Sequence, residues 1–519
     1  MSLVRCESLN IILVAFQEVL IRFSDLPFHG AFVMLRVNVS FPSGSGETLS
    51  LPEHSKVGDL KVLAQKTFRK GFLKLVTADG RVLTDPEDSL HAAGVQDGEH
   101  LVSVAQQVHT AASHAAIALW CPGGNGVANW GDLRRGGDCS AVQDQLRSVQ
   151  QIQATDYGAF AAILGDGSVV TWGHRDWGGD CSVVQNQLRN VHQIEATSTA
   201  FAAILADGSV VTWGDAERGG DCSAVQDQLR NVKQILGIFW AFAAILADGS
   251  VVAWGVPYFG GDCWEVEDQL RNVQQVRGTD GAFAAILADG SIVTWGDPTK
   301  GGDCSAVRDQ LRNVQNVQAT CSAFAAILAD GSLVCWGPSE SGGDCSAVKD
   351  QLRNVQQIQT TSGAFAAILA DGSVVAWGDP GFGGDCSAVR DQLRNVQKVE
   401  ATCGAFAAIL ADGSLVCWGP SEYGGDCSTV QDQLRNVQQI QTTTAAFAVI
   451  LADGSVVAWG DSEFGGDCRA VRGQLRNVQQ IQATGCAFTA ILADGAVVSW
   501  GDPRFGGDCS PVQELLQYL

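Results

Sequence analysis

Most of the chain repeats one pattern of apolar and polar positions. In the copy at 193–214, Gln193 to Thr197 alternates apolar and polar residues, as a half-buried strand does. The following segment, 200–214, reads as a β-hairpin whose apolar bulk is Phe201, Ile204, Leu205, Val210, Val211 and Trp213. Asp207-Gly208 is expected to supply the positive φ angles of a tight hairpin turn. Each copy therefore predicts a three-stranded antiparallel meander. Gly219-Gly220 marks a further turn, and Ser223 to Leu229 reads as a short helix or an irregular crossing.

The pair Trp-Gly begins at 130, 172, 213, 254, 295, 336, 377, 418, 459 and 500, a first interval of 42 followed by steps of 41. A unit this small buries too little apolar surface to offset the entropy of ordering its own chain. Each copy must pack its faces against its neighbours, as blades or solenoid coils do. Gln106-Gln107-Val108-His109 matches the repeat's opening, and the last copy ends at Leu519, so ten units fill 106–519 without a spare strand. A closed ring and an open superhelix both fit this count.

Residues 32–105 follow a different pattern. Leu35, Val37, Val39 and Phe41 alternate with polar residues, and Thr48 to Leu51 returns after a turn. Val57, Leu60, Leu63, Ala64 and Thr67 fall at helical spacing over 57–68. Strands are expected at Leu73 to Thr77, Val82-Leu83 and His100 to Val104. Ahead of this unit, residues 1–31 form an extension with an amphipathic helix expected over Leu9 to Phe23. Its apolar run, Ile11 to Phe16, is too short to span a bilayer and is closely flanked by charge.

Charge narrows the partners. The net charge is −23, from 56 acidic and 33 basic residues, which disfavours nucleic acid and favours basic protein surfaces. No membrane partner is expected. The 17 Cys include no Cys-x-x-Cys pair, and ten recur at one repeat position. Free thiols in a reducing setting, cytoplasmic or nuclear, are the expectation.

The strand and helix order of 32–105, with 78–104 (ADGRVLTDPEDSLHAAGVQDGEHLVSV), resembles ubiquitin and implies an α+β, β-grasp domain. Conjugated members of that family end in Gly-Gly, whereas here Val104 runs into Ala105-Gln106-Gln107, so the resemblance implies docking rather than transfer. Leu75, Val76 and Gly80 fall where ubiquitin carries its docking patch, though strand core explains one of the two apolar residues equally well. The run VQQIQATSGAFAAILADGSVVAWGDPGFGGD (355–385) resembles the regulator of chromosome condensation repeat. Its short period is similar to the three-stranded type of β-lactamase inhibitory protein type II. The resemblance implies a mainly β, propeller-like array. Ten copies exceed the seven blades usual in the family, and Phe replaces its usual His except at His114.

In such a meander the two segments that differ between copies share one face. The loop after Trp-Gly brings Trp177, Arg218, Tyr258, Phe259, Lys300, Phe382, Tyr423, Phe464, Arg504 and Phe505, and the loop before the Phe strand brings Tyr157, Phe239 and Trp240. Aromatic residues and Arg carry most interface energy, which points to a protein-binding face; drift of unconstrained loops is the plain alternative. The repeated Cys, such as Cys222, read as small buried apolar residues, the Asp of Asp-Gly and Gly-Gly-Asp as turn chemistry, and Arg230 as an inter-repeat partner of Asp227-type residues. No nucleophile–base–orienter set and no phosphate loop stands out, so no enzyme, cofactor or metal is expected. A protein-binding adaptor tied to ubiquitin-pathway machinery is the leading reading. The alternatives are a nucleotide exchange factor for a small GTPase, a protein inhibitor, and a fragment or paralogue of a propeller-bearing ubiquitin ligase.

Overall fold

The computed structural model describes residues 34–124 and 126–516. The expected helix over Leu9 to Phe23 and the 1–31 extension lie outside the described residues. The first unit contains β1 (Met34–Ser40), β2 (Gly46–Pro52), α1 (Val57–Phe68), β3 (Leu73–Thr77), β4 (Val82–Leu83) and β5 (His100–Ala105). They form one sheet in the order β2-β1-β5-β3-β4, with β1 and β5 parallel. Leu60 and Ala64 of α1 pack on Val37, Leu75 and Leu101 of the sheet, a β-grasp core. α1 starts where the Lys56 amide donates to the Asp59 carboxylate at 2.8 Å, and it stops at Arg69 in the left-handed region.

The rest is ten three-stranded antiparallel sheets, here called blades 1 to 10. Blade 3 is typical: Val191–Ala196, Ala200–Leu205 and Val210–Gly214. First strands of adjacent blades lie side by side, so they line the axis and the third strands face outward. The hydrophobic core sits between blades rather than within them. Between blades 3 and 4, Ala200, Ala202 and Ile204 meet Phe242, Ala244 and Trp254, with Cys222 and Leu229 of the crossing segment wedged in. Within each of blades 2 to 10 the Phe of the second strand stacks on the Trp of the third, as Phe242 does on Trp254 at 5.1 Å. The Trp254 indole N–H donates to the Gly219 carbonyl of the preceding blade at 3.1 Å. This bond explains the constant Trp-Gly and Gly-Gly positions better than turn propensity alone.

The same bond closes the array. Trp130 of blade 1 donates to Gly506, beyond the last strand of blade 10, at 3.0 Å. Ile117, Leu119 and Trp130 pack on Ile491, Val497, Cys509 and Leu516, so the ten units form a ring. The closing interface also holds Phe72 of the β-grasp unit, 1 % exposed. At the other interfaces a Val such as Val232 heads the first strand and enters the core. Strand register puts the exposed Gln107 at that position in blade 1, and Phe72 fills the apolar slot instead. Its amide neighbour Gly71 backs onto the Gly495 turn, as Asn231 backs onto Gly208 elsewhere. The Gln106 amide bonds the Phe72 carbonyl at 2.8 Å, which ties the two units together.

Two expectations need correction. The hairpin turn is not a two-residue turn with two positive φ angles. Gly208 alone takes a positive φ, +78°, and the Gly208 amide bonds the Leu205 carbonyl at 2.9 Å. Asp207 instead accepts the Ser209 amide at 2.9 Å, so Ala206-Asp207 form a type I turn followed by a left-handed Gly. Arg230 does not bridge repeats: it pairs with Asp227 of its own loop at 3.4 Å, both exposed, where such pairs contribute little. Inter-repeat links come from variable residues, as where Arg472 donates to Gln433 at 2.9 Å. Blade 2 carries an extra rim residue, because Thr155 pairs with Ala159, four on, where Thr197 pairs with Ala200, three on. That insertion accounts for the first interval of 42.

Candidate functional site

The meander sends each first-strand exit and each loop after Trp-Gly to the same end of the blade, and the Asp-Gly turns to the other. The rim therefore gathers the variable residues. Threonines organise it: the Thr361 hydroxyl accepts the Ala364 amide at 3.0 Å and donates to the Phe382 carbonyl at 2.8 Å, joining the two variable loops. Neighbouring rim loops are joined by backbone bonds, as from Ser362 to Cys403 at 2.9 Å and from Cys403 to Thr444 at 3.0 Å. At the axis they surround an opening of about 700 Å³ lined by Thr197, Thr279, Asp280, Cys321, Ser362 and Cys403 among others.

One arc of the rim, over blades 2 to 4, is a continuous aromatic cluster. His174 stacks on Trp177 at 3.6 Å, Trp177 meets Tyr157 at 5.3 Å, and Tyr157 meets Phe239 at 6.2 Å. Phe239 meets Trp240 at 4.9 Å, Trp240 meets Phe259 at 4.7 Å, and the Arg218 guanidinium lies 4.7 Å over Trp240. The Trp240 indole N–H and His174 Nδ1 are buried and have no hydrogen-bond partner among the described residues. A second arc holds Phe382 and Tyr423, 6.1 Å apart, then Phe464 and Phe505, with Arg504 5.4 Å over the Phe505 ring. These aromatics are half-buried. Phe382 covers Gly363 and Tyr423 covers Gly404. Part of their recurrence is therefore packing within the blade. Lys300 sits beside Asp280, whose carboxyl is pushed up by burial and drawn partly back by that ammonium. Tyr258 meets Phe259 edge-on at 6.0 Å at the end of the first arc's cluster and is 58 % exposed.

On the β-grasp unit, Leu75 is fully buried against α1 and cannot dock anything, because its strand position faces the core. Val76 faces the other side, half-exposed, and Gly80 is exposed in its turn. Val76 pairs with Val102, and Lys74 with Val104, which makes Val76, Val102 and Val104 the apolar strip on the open face of the sheet. Alternation marks 100–104 as a strand but does not say that Val102 and Val104 lie on its outer face. Phe72 and Gly71 anchor this unit on the Asp-Gly side of the ring, opposite the variable rim.

The ten repeated cysteines, Cys222 among them, are buried and free. Burial pushes the Cys263 thiol up to about 11, which leaves it protonated at neutral pH. Among the described residues no group of three or more His, Cys, Asp or Glu is placed to hold a metal ion, and no helix is long and apolar enough to cross a membrane. Trp264, which replaces the Ser of most copies, is 69 % exposed. Aligning the repeats against each other reveals it.

No family model and no curated protein matches the chain. Solved structures similar to it include human WBSCR16, at 17 % identity and a TM-score of 0.30, covering 46 % of this chain and 78 % of that one. Yeast RCC1 (Prp20), solved with Kap60 bound, is 16 % identical with a TM-score of 0.33, covering 62 % and 87 %. The ubiquitin-like domain of Arabidopsis thaliana At2g32350 is 21 % identical with a TM-score of 0.13, covering 15 % and 85 %. The architecture rests on the strand pairing above, and beside it the chain's tandem three-stranded repeats are similar to those of RCC1 and its first domain to ubiquitin-like domains.

Proposed function

We propose that the protein is a non-catalytic interaction scaffold that holds a client protein on the variable rim and meets ubiquitin-pathway machinery through its first domain. The observation that carries this reading is the placement of two unlike surfaces on opposite sides of one closed ring. The rim presents Trp240 in contact with Phe259 and Arg218, and a chain of ring contacts through Phe239 and Tyr157 continues to Trp177. On the far side, Phe72 seats the β-grasp unit in the closing interface, which leaves Val76, Val102 and Val104 on its open face. Aromatic and Arg clusters in a polar surround are typical anchors of protein interfaces.

The test is proximity-crosslinked capture with two variants, read by mass spectrometry. Arg218→Glu with Lys300→Glu and Arg504→Glu reverses charge on the rim without removing the half-buried aromatics. Val76→Glu with Val102→Glu spoils the strip on the first domain. The scaffold reading expects each variant to lose a different set of partners and to keep the other. Equal capture by wild type and both variants contradicts it. Accelerated nucleotide release from a small GTPase by the wild-type chain would replace it with the exchange-factor reading.

A further inference from the structure

We infer that the groove on the outer edge of the ring between blades 4 and 5 binds an arginine-bearing segment of a partner protein. The groove measures about 530 Å³, and Tyr258, Asp262, Trp264, Glu265, Asp303 and Arg308 stand in its wall. Its size suits one or two side chains rather than a folded domain. Trp264 is 69 % and Tyr258 58 % exposed, the two aromatic side chains left most open among the described residues.

The repeat supplies its own control. The matching groove between blades 8 and 9 is nearly equal in size, about 560 Å³. There Asp426 and Asp467 are balanced by Arg469 and Arg472; Ser428 and Thr429 stand in place of Trp264 and Glu265, and Arg469, in place of Ser305, pairs with Asp467 at 2.6 Å. In the blade 4–5 groove Asp262, Glu265 and Asp303 outnumber Arg308, a net of two negative charges. Arg308 is turned to the Gln269 side chain. None of the three carboxylates forms an ion pair among the described residues. The shared architecture thus explains the cavity but not its two open rings or its charge. A planar guanidinium matches both: it stacks on indole and phenol faces and pairs with carboxylates, where an ammonium does only part of this. Pro257, Tyr258 and Pro298 of the rim loops close one end of the groove, but Arg218, Lys300 and Arg504 do not line it, so the inference goes beyond the scaffold reading and survives its failure.

Titrating the full chain into fluorescein-labelled acetyl-Gly-Arg-Gly-Arg-Gly-amide, followed by anisotropy, tests it. Lys and Glu versions of the peptide serve as counterparts. The variant pair Trp264→Ser and Glu265→Ala restores the Ser-Ala that most other copies carry, so the repeat already shows that the fold accepts it. Saturable binding of the Arg peptide, weakened about tenfold by the double variant and unaffected by the rim charge reversal, is expected. No binding at ~1 mM, equal binding by the double variant, or equal affinity for the Glu peptide overturns the inference.

Discussion

Asparagine stands before the first strand of blades 3 to 10 for a backbone reason. Asn190, Asn231 and their copies take φ near +54° to +56°, and Ser148 takes the same conformation in blade 2. The Asn231 carbonyl also accepts the Ala247 amide at 2.9 Å, which locks the turn to its own blade. L residues with a branched Cβ pay heavily in this region, whereas Asn and Gly enter it readily. Asn231→Val is therefore expected to lower unfolding free energy by about 1–2 kcal/mol, and Asn231→Gly by less. Urea midpoints check both; an Asn231→Val protein as stable as wild type would show that the strain is relieved elsewhere. This constraint was visible in the sequence only as a constant residue, because a side-chain pattern does not report φ.

At the level of the element, the hairpin was legible and its turn was not. Two apolar runs around Ala206-Asp207-Gly208 specify two strands, but the two-residue and the three-residue turn use the same letters. What decides is the Asp side chain, which binds the amide and hydroxyl of Ser209. Those bonds hold the Asp207 carboxyl below the usual carboxylate range, and they do the same at Asp166, Asp248, Asp289, Asp330, Asp371, Asp412 and Asp453. A carboxyl depressed in the folded state stabilises fully above its unfolded value, about 3.9, and that stability fades as pH falls through the folded value. Glu195 and Asp280, raised by burial, act in the opposite direction but are outnumbered. The urea midpoint should fall steeply below about pH 4. Asp→Asn at positions 207, 248 and 289 should shrink that fall, and a loss of the same size in this variant would move its origin away from the turns. The candidate rim was legible for a related reason, since a meander fixes which loops share an end. Leu75 was not, because alternation gives two faces without saying which is inside.

For the whole molecule, the sequence left ring and superhelix open because closure depends on small rotations summed over ten interfaces. The decisive contacts join residues far apart in the chain: Trp130 with Gly506, and Phe72 with Leu516 and Ile491. The first blade lacks the apolar head of its inner strand, and the β-grasp domain supplies it. The domain is thus part of the ring's last seam, held away from the rim on which the scaffold reading depends. Negative-stain electron microscopy of the full chain tests this most directly. Face-on class averages of closed rings with ten lobes and one extra mass at a single seam are predicted; arcs, spirals or rings with the extra mass detached would contradict the account.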